Sequence, residues 1–500
     1  MSASDPHGNL ERLATGVPGL DDLLEGGLPV GGVFLIQGEP GAGKTILGNQ
    51  LCFHHARSGG QAVYLTLIAE SHARMINHLR RFSFYDPELV GQSVHYHAGF
   101  RVMQEQGPDG LVALTRNAVV ERSATLIVVD GLINAGEVIS SPTDFKLLLH
   151  AIQTISSTLG CTVILLSSAR ASDAGLPEHT IVDGIVQLTH ELPGMHDRRY
   201  LEVRKMRGIN AVTGRHGLEI DSGGILVRPR LESRLRTGRS GVEVASSVDR
   251  VLFGLPALDA MLHGGLPAGS NTLVGGPTGT GKTMLGLQYL VGGAARGEPG
   301  LYCGFYERPE SILAKSARMN LGVAAAIEAK LVHLHWERPV EGSLDAMADR
   351  LLDMIRRTGS RRLCFDGILA LRRMVDSPDR FHAATSALSE ELERLGVTTV
   401  FTLETPELSG TTALLPLQDV SAVSHNLLMI RHVEQEARMH RLLSIVKMRD
   451  SDYDMRIHQL HLTDRGIEVG DPANVEQARP SAAKRLRGPA KPRRKSARRR

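Results

Sequence analysis

The 500-residue chain is poor in aromatic residues and cysteine, and it contains no long hydrophobic run. Aromatic side chains make up 4% of the sequence, and Trp336 is the single tryptophan. The four cysteines stand far apart without a CxxC pair, which argues against a zinc knuckle or a disulfide framework and favours a reduced cytoplasmic protein. No apolar segment approaches the roughly 18–20 residues of a membrane helix, and the N-terminal segment predicts no secretory signal. We therefore expect no membrane partner.

The length and the overall composition are those of a globular protein with more than one domain. Five hundred residues suit two or three domains. Hydrophobic residues make up 42% and charged residues 22% of the chain, which excludes wholesale disorder.

The net charge of +3 hides a strongly basic C-terminal tail. Residues 479–500 contain 11 Lys and Arg and no acidic residue, so the rest of the chain carries about −8. Because the tail has almost nothing apolar to bury, it is predicted to be disordered. Its charge suits weak binding to nucleic acid, to an acidic partner or to the acidic body itself, and a solubilising extension is the alternative.

An internal repeat organises the sequence. Residues 16–45 (GVPGLDDLLEGGLPVGGVFLIQGEPGAGKT) return 238 positions later as residues 254–283 (GLPALDAMLHGGLPAGSNTLVGGPTGTGKT). Two later landmarks are also duplicated: VVDG with CFDG, and RKMRG with VKMRD. The repeat predicts two copies of one domain. The predicted boundaries are 1–228 for the first domain, 229–247 for a linker, 248–470 for the second domain and 471–500 for the tail.

Short β-branched runs alternate with helical patterns in both copies. The first copy has VFLIQG, AVYLTL, TLIVVD and TVILLS, and the second has NTLVGG, GLYCGF, RLCFD and TTVFTL. Strands that alternate with helices in this way predict a mostly parallel sheet covered on both faces. The expected fold class is therefore α/β.

Both copies contain the pattern GxxxxGK[ST] between an apolar strand and a helix. In that context the glycines let successive backbone N–H groups point at phosphate oxygens, and the helix N-terminus adds its dipole. Lys44 and Lys282 are predicted to reach the β- and γ-phosphates of ATP, and the hydroxyls of Thr45 and Thr283 to bind Mg²⁺. The other predicted nucleotide-binding positions are Gly38, Pro40, Gly41, Ala42, Gly43, Gly276, Thr278, Gly279, Thr280 and Gly281.

An aspartate ends an apolar strand in each copy, about 85 residues after the loop lysine. A carboxylate at the end of a buried strand beside the phosphate loop is well placed to assist Mg²⁺ binding. Asp130 and Asp366 are therefore predicted to belong to the metal site; a turn aspartate before glycine is the structural alternative.

The opening GVPGLDDLLEGGLPVG, the phosphate loop and the late KMRG resemble the KaiC family, a branch of the RecA-like ATPases. The resemblance covers nearly all of the chain outside the tail. It implies two RecA-like domains, a two-tiered ATP-dependent hexamer with nucleotide at subunit interfaces, and an autokinase activity in the second domain. It also implies that Lys205 and Arg207 in one tier, and Lys447 and Arg449 in the other, reach the ATP of a neighbouring subunit.

The sequence departs from the family pattern where two adjacent glutamates are expected. Ala69 stands at the first position in the first copy and Tyr306 in the second, which leaves Glu70 and Glu307 as the remaining carboxylates. We therefore expect slow hydrolysis. In the phosphoacceptor segment, the resemblance places Ser421 at one acceptor position.

Three functions compete. The first is a KaiC-like signalling ATPase with a protein partner that the sequence does not identify, and the second is a DNA-acting RecA-like motor that uses the tail. The acidic body and the scarcity of aromatic residues disfavour the motor. The third is a nucleotide-gated scaffold with almost no turnover.

Overall fold

A computed structural model describes most of the chain and divides it into two compact units, residues 1–239 and 240–500. The described residues are 11–67, 72–131, 141–168, 177–191, 197–237, 249–338, 343–375, 377–405, 424–435, 438–449 and 451–472.

The first unit is built around a nine-stranded sheet of order β11-β10-β9-β8-β3-β7-β6-β4-β5. Its strands are β1 (Arg12–Leu13), β2 (Leu28–Pro29), β3 (Val33–Gly38), β4 (Ala62–Thr66), β5 (Val94–Ala98), β6 (Leu126–Asp130), β7 (Thr162–Ser167), β8 (Gly184–Glu191), β9 (Arg198–Met206), β10 (Arg215–Asp221) and β11 (Gly224–Arg228). Its helices are α1 (Leu20–Leu23), α2 (Lys44–Arg57), α3 (His72–Leu79), α4 (Phe100–Arg122, interrupted at Gly107), α5 (Pro142–Leu159), α6 (Pro177–Ile181) and α7 (Leu231–Thr237).

The second unit repeats this plan with a nine-stranded sheet of order β16-β15-β17-β18-β14-β19-β20-β21-β22. Its strands are β12 (Arg250–Val251), β13 (Leu266–Pro267), β14 (Asn271–Gly276), β15 (Gly300–Gly304), β16 (Val332–Trp336), β17 (Arg362–Asp366), β18 (Thr398–Glu404), β19 (Asn426–Gln435), β20 (Arg438–Met448), β21 (His458–Thr463) and β22 (Gly466–Pro472). Its helices are α8 (Pro256–Met261), α9 (Lys282–Ala294), α10 (Pro309–Arg318), α11 (Val323–Glu328), α12 (Leu344–Thr358), α13 (Pro378–Arg394) and a 3₁₀ helix at Ile368–Arg373.

The predicted α/β fold with mostly parallel sheets is confirmed. In each sheet six strands pair in parallel around the strand that precedes the phosphate loop, β3 or β14, and three further strands add antiparallel pairs on one side. The parallel strands read as continuous apolar runs because helices cover both of their faces. Every residue of β3 and of β14 is buried.

An aspartate side chain organises the segment that leads into each phosphate loop. Asp21 accepts hydrogen bonds from the backbone N–H and the hydroxyl of Thr15, at 2.9 and 2.7 Å. The carboxylate of Asp259, 238 positions later, accepts from the backbone N–H groups of Phe253 and Gly254. The repeated Leu-Asp of the opening motif therefore has a structural role.

Two elements differ from the predicted segmentation. Helix α7 lies inside the stretch predicted as a linker, and its Leu231 is fully buried in the first unit. Strand β22 runs to Pro472, two residues into the predicted tail, and residues 473–500 lie outside the described residues.

The four cysteines, all within the described part, are buried and free of disulfide bonds, in agreement with the spacing argument. No described helix has the length and apolar character needed to cross a membrane.

Candidate functional site

The phosphate-binding loops connect the central strand of each sheet to a helix. Gly43 precedes α2 with a φ of 104°, and Gly281 precedes α9 with a φ of 98°. This left-handed backbone favours glycine and turns the loop so that the first N–H groups of the helix face inward. The helices are 14 and 13 residues long, and each N-terminus therefore offers an anion site to a phosphate group.

The loop lysines fold back over the loop in the same way in both units. Lys44 Nζ donates to the carbonyl oxygens of Gly38 and Glu39 at 2.7 and 3.0 Å. Lys282 Nζ donates to Gly276 and Pro277 at 2.7 and 2.8 Å. Burial lowers the pKa of both lysines, and the nearby carboxylates oppose this shift. Each ammonium group is held at the loop where phosphate oxygens would replace the carbonyls.

The predicted metal-site residues are in contact in each unit. Thr45 Oγ1 lies 3.1 Å from Asp130 Oδ2, and Thr283 Oγ1 lies 2.8 Å from Asp366 Oδ2. A hydroxyl and a carboxylate together offer the oxygen ligands that Mg²⁺ takes alongside substrate phosphates. The described residues contain no group of three or more His, Cys, Asp or Glu side chains placed to hold a metal ion.

A tyrosine hydroxyl holds each of these aspartates. Tyr64 OH donates to Asp130 Oδ2 at 2.7 Å, and Tyr302 OH donates to Asp366 Oδ2 at 2.7 Å. The two tyrosines are separated by the repeat offset of 238, yet neither was among the predicted site residues. Their recurrence at that offset, beside the strand that ends in the aspartate, was the available signal.

The second unit adds a further donor. Thr402 Oγ1 donates to Asp366 Oδ1 at 2.5 Å and accepts the N–H of Gly367 at 2.8 Å. The two carboxylate oxygens of Asp366 are thus oriented by three hydroxyl groups, including those of Thr283 and Tyr302.

In the second unit, the two expected glutamate positions hold an exposed tyrosine and a glutamate that is paired with a lysine. The ring of Tyr306 lies against Gly367 and is 59% exposed. Glu307 Oε2 lies 2.6 Å from Lys315 Nζ and accepts a longer hydrogen bond from Ser311. Glu307 is therefore engaged with helix α10. Ala69, Glu70 and Ser421 lie outside the described residues.

The KMR cations are Lys205 and Arg207 in the first unit and Lys447 and Arg449 in the second. They lie at the opposite end of the parallel strands from the phosphate loop of the same unit. Arg207 N donates to Asp183 O at 2.9 Å, and Asp183 N donates to Val33 O at 2.8 Å, at the start of β3. The loop begins at Gly38, five residues further along the strand, or about 17 Å away. These cations therefore lie far from the nucleotide site of their own unit.

The same arrangement recurs in the second unit. Arg449 N donates to His425 O, and His425 N donates to Asn271 O at the start of β14. Lys447 Nζ donates to Ser424 O at 2.9 Å. The two KMR segments therefore occupy equivalent positions in the two units.

Lys205 and Arg207 differ in how firmly they are held. Lys205 Nζ donates to the carbonyl oxygens of His179, Thr180 and Val182, at the end of helix α6. Burial lowers the pKa of Lys205, and the charge of Arg207 lowers it further. The Arg207 side chain is 55% exposed and lies 3.6 Å from Asp183. Arg207 is accordingly the more accessible of the two to an incoming phosphate.

Two further charged side chains meet the second phosphate loop. Glu404, at the end of β18, accepts a hydrogen bond from the hydroxyl of Thr278. Arg441 Nε, on β20, donates to Gly279 O at 3.3 Å. Neither position belongs to a duplicated motif, and only the strand order brings them to the loop.

This combination of fold and site defines a class. A glycine-rich loop follows the central strand of each α/β sheet. A lysine, a threonine and an aspartate at the end of a neighbouring strand lie together at this loop. The chain is thus a tandem P-loop ATPase of RecA-like fold.

The family follows from comparison with known proteins. The family description "ATPase: KaiC" matches residues 13–232 and again residues 251–474. The chain belongs to the KaiC ATPase family.

Similar proteins span nearly the same length. "Circadian clock protein KaiC3" of Synechocystis sp. is 27% identical over 93% of this chain and 92% of that protein. "Circadian clock oscillator protein KaiC" of Picosynechococcus sp. is 24% identical over 92% of this chain and 90% of the relative. The protein of the same name from Synechococcus elongatus is 23% identical over 93% and 90%, respectively.

Proposed function

We propose that the chain is a regulatory ATPase that binds Mg-ATP at both phosphate loops, hydrolyses it slowly and signals its nucleotide state to a protein partner. The observation that carries this proposal is the contact between threonine and strand-end aspartate beside the loop lysine. It occurs in both units, at 3.1 Å between Thr45 and Asp130 and at 2.8 Å between Thr283 and Asp366.

The residues divide the work of phosphate binding. The loop N–H groups and the helix dipole bind the β-phosphate, and Lys44 or Lys282 neutralises charge on the transferred phosphoryl group. Thr45 with Asp130, and Thr283 with Asp366, would hold Mg²⁺. The chemistry that Mg²⁺ would supply there is neutralisation of phosphate charge. The engagement of Glu307 by Lys315 supports slow hydrolysis in the second unit.

The position of the KMR cations supports a head-to-tail homohexamer with nucleotide between subunits. Arg207 and Arg449 lie at the opposite end of the strands from the phosphate loop of their own unit. They can therefore contact an ATP molecule only when another copy of the chain binds it. A head-to-tail contact generates a ring when the rotation that relates neighbouring copies closes, and the proposed hexamer is such a ring. The names of the similar proteins, which refer to a circadian clock, support a regulatory role without fixing the pathway.

Autophosphorylation of Ser421 is the finer part of the proposal. It rests on the family resemblance of the segment before β19. The seryl oxygen would attack the γ-phosphorus, the bond to the β,γ-bridging oxygen would break, and ADP would leave with that electron pair. The proton of the seryl hydroxyl would pass to solvent water.

The test follows both products in one tube. Full-length protein is incubated with Mg²⁺ and ATP labelled at the γ-phosphate, and released phosphate and protein-bound label are measured together. We expect slow release that Lys44→Ala combined with Lys282→Ala abolishes, and label that Ser421→Ala removes. Ser424→Ala, a change at a neighbouring buried hydroxyl, is the matched control. Label that persists in Ser421→Ala excludes that acceptor, and the absence of both signals leaves a scaffold that binds ATP without turnover.

A further inference from the structure

The carboxylate that faces the second phosphate loop comes from an unexpected strand. The position after β15 contributes Tyr306 and Glu307, and Glu307 is paired with Lys315 at 2.6 Å. Glu404 instead lies at the end of β18, which pairs in parallel with β14. In that pairing Glu404 stands opposite Gly276, the first glycine of the loop. Its carboxylate therefore lies at the end of the parallel strands where the phosphate loop begins.

Two interactions tie Glu404 to the loop. The hydroxyl of Thr278 donates to its carboxylate, and its negative charge opposes the lowering of the Lys282 pKa by burial. Glu404 contributes more to this opposition than Asp366 does. The side chain is exposed, so water can reach it. A carboxylate that accepts a hydrogen bond from the phosphate loop itself lies close to the place of a γ-phosphate.

The first unit has no carboxylate at the equivalent position. β3 and β7 pair in the same parallel register, with Gln37 opposite Ser167, so the residue opposite Gly38 is Ser168. The feature therefore distinguishes the second unit from the first.

We propose that Glu404 is the general base for ATP hydrolysis in the second unit; this inference rests on the proposed ATPase function. The oxygen of a water molecule attacks the γ-phosphorus, and the bond to the β,γ-bridging oxygen breaks. ADP leaves with the electron pair of that bond, and Glu404 takes the proton from the attacking water. A positioned base of this kind contributes about 10²–10⁴-fold in rate.

Substitutions at Glu404 separate a base from a structural clamp. The full-length protein with Arg207→Ala, which removes the first-tier arginine but keeps the Lys44 loop on which assembly is expected to depend, serves as the parent. Glu404→Gln keeps an oxygen that accepts the Thr278 hydroxyl but cannot take a proton. We expect it to lower kcat at least tenfold while ATP affinity, measured with a fluorescent ATP analogue, changes less than threefold, and Glu404→Asp to recover part of the rate. Glu328→Gln, an exposed change on α11, is the charge-matched control.

Two outcomes overturn the proposal. If Glu404→Gln hydrolyses ATP like the parent while Glu404→Ala is inactive, Glu404 acts by holding Thr278. If Glu307→Gln abolishes hydrolysis and Glu404→Gln does not, the base is Glu307. If adding Lys282→Ala to the parent changes nothing, the second unit is no ATPase, and the proposed function itself fails there.

Discussion

At the scale of single residues, the tyrosine that supports each strand-end aspartate is open to direct measurement. Tyr64 is fully buried and donates a 2.7 Å hydrogen bond to a buried carboxylate. Because hydrogen bonds to charged groups are worth about 1.5–3 kcal/mol, we expect Tyr64→Phe to lower the free energy of unfolding by about that amount. Urea denaturation measures the change. We also expect the Mg²⁺ concentration that supports half-maximal hydrolysis to rise several-fold.

A second tyrosine provides the control for this prediction. Tyr96 donates at 2.8 Å to the neutral amide oxygen of Asn49. Its replacement by Phe should cost about 0.5–1.5 kcal/mol and leave the Mg²⁺ requirement unchanged. Equal costs for both substitutions would show that the charge of Asp130 does not strengthen the Tyr64 bond.

The buried loop lysine predicts a pH dependence of ATP binding. Burial lowers the pKa of Lys282 below the usual 10.5, so the free protein loses this charge at a lower pH than an exposed lysine would. We therefore expect the Kd for ATP to rise as the pH is raised from neutrality through that lowered pKa. The Lys282→Arg variant, whose guanidinium stays charged, should bind more weakly but show a flatter pH profile. Titration with a fluorescent ATP analogue in the Lys44→Ala protein measures both, and parallel profiles would contradict the expectation.

Residues of the site differ in how visible they are in the sequence. The loops and the two aspartates follow from repeated motifs because backbone geometry restricts which residues can occupy them. The position of Glu404 beside the loop could not be predicted, because it depends on β18 being the neighbour of β14 and strand order is a tertiary property. Thr402 reaches Asp366 for the same reason.

At the scale of secondary-structure elements, the segment before each phosphate loop depends on one carboxylate. Asp21 holds both the N–H and the hydroxyl of Thr15. We expect Asp21→Ala to lower the unfolding free energy by about 1.5–3 kcal/mol, because these donors lose a charged acceptor. The adjacent Asp22 is exposed, and its replacement by Ala should cost less than about 1 kcal/mol. Urea midpoints of the two variants give the comparison, and equal midpoints would refute the structural role of Asp21.

The parallel strands could be predicted, whereas the antiparallel strands could not. TLIVVD and RLCFD became β6 and β17 because buried parallel strands are continuously apolar. Strand β9 contains charged residues along much of its length, and β20 has charged residues at both ends of the buried stretch Leu442–Ile445. In the sequence, only the KMR landmark at the end of each strand pointed to them.

At the scale of the whole molecule, the separation of loop and KMR cations predicts complementation between copies. Lys44→Ala removes a phosphate loop and keeps Arg207, and Arg207→Ala does the reverse. Each variant alone should hydrolyse little ATP in the first tier, when measured in the Lys282→Ala background. Mixing the two should restore part of the activity, because some interfaces then combine an intact loop with an intact arginine. Activity that stays at the level of the separate variants would mean that Arg207 does not act across an interface.

The proposed ring predicts different effects of the two phosphate loops on assembly. The family resemblance implies that the first tier drives assembly and that the second carries the kinase. We therefore expect Lys44→Ala, and not Lys282→Ala, to abolish ATP-dependent assembly as measured by light scattering coupled to size-exclusion chromatography. If Lys282→Ala alone prevents assembly, the division of roles is reversed in this protein.

The distance between a loop and the KMR cations of the same unit has a genetic consequence. In the proposed ring no single chain contains a complete nucleotide site. Within each tier, every chain supplies the phosphate loop of one site and the arginine of a different site. A defective chain would thus silence a neighbour that carries no mutation. Loss-of-function alleles at Lys44 or Arg207 should consequently show dominance when expressed beside the normal gene, and their severity should grow with the share of altered chains in the pool.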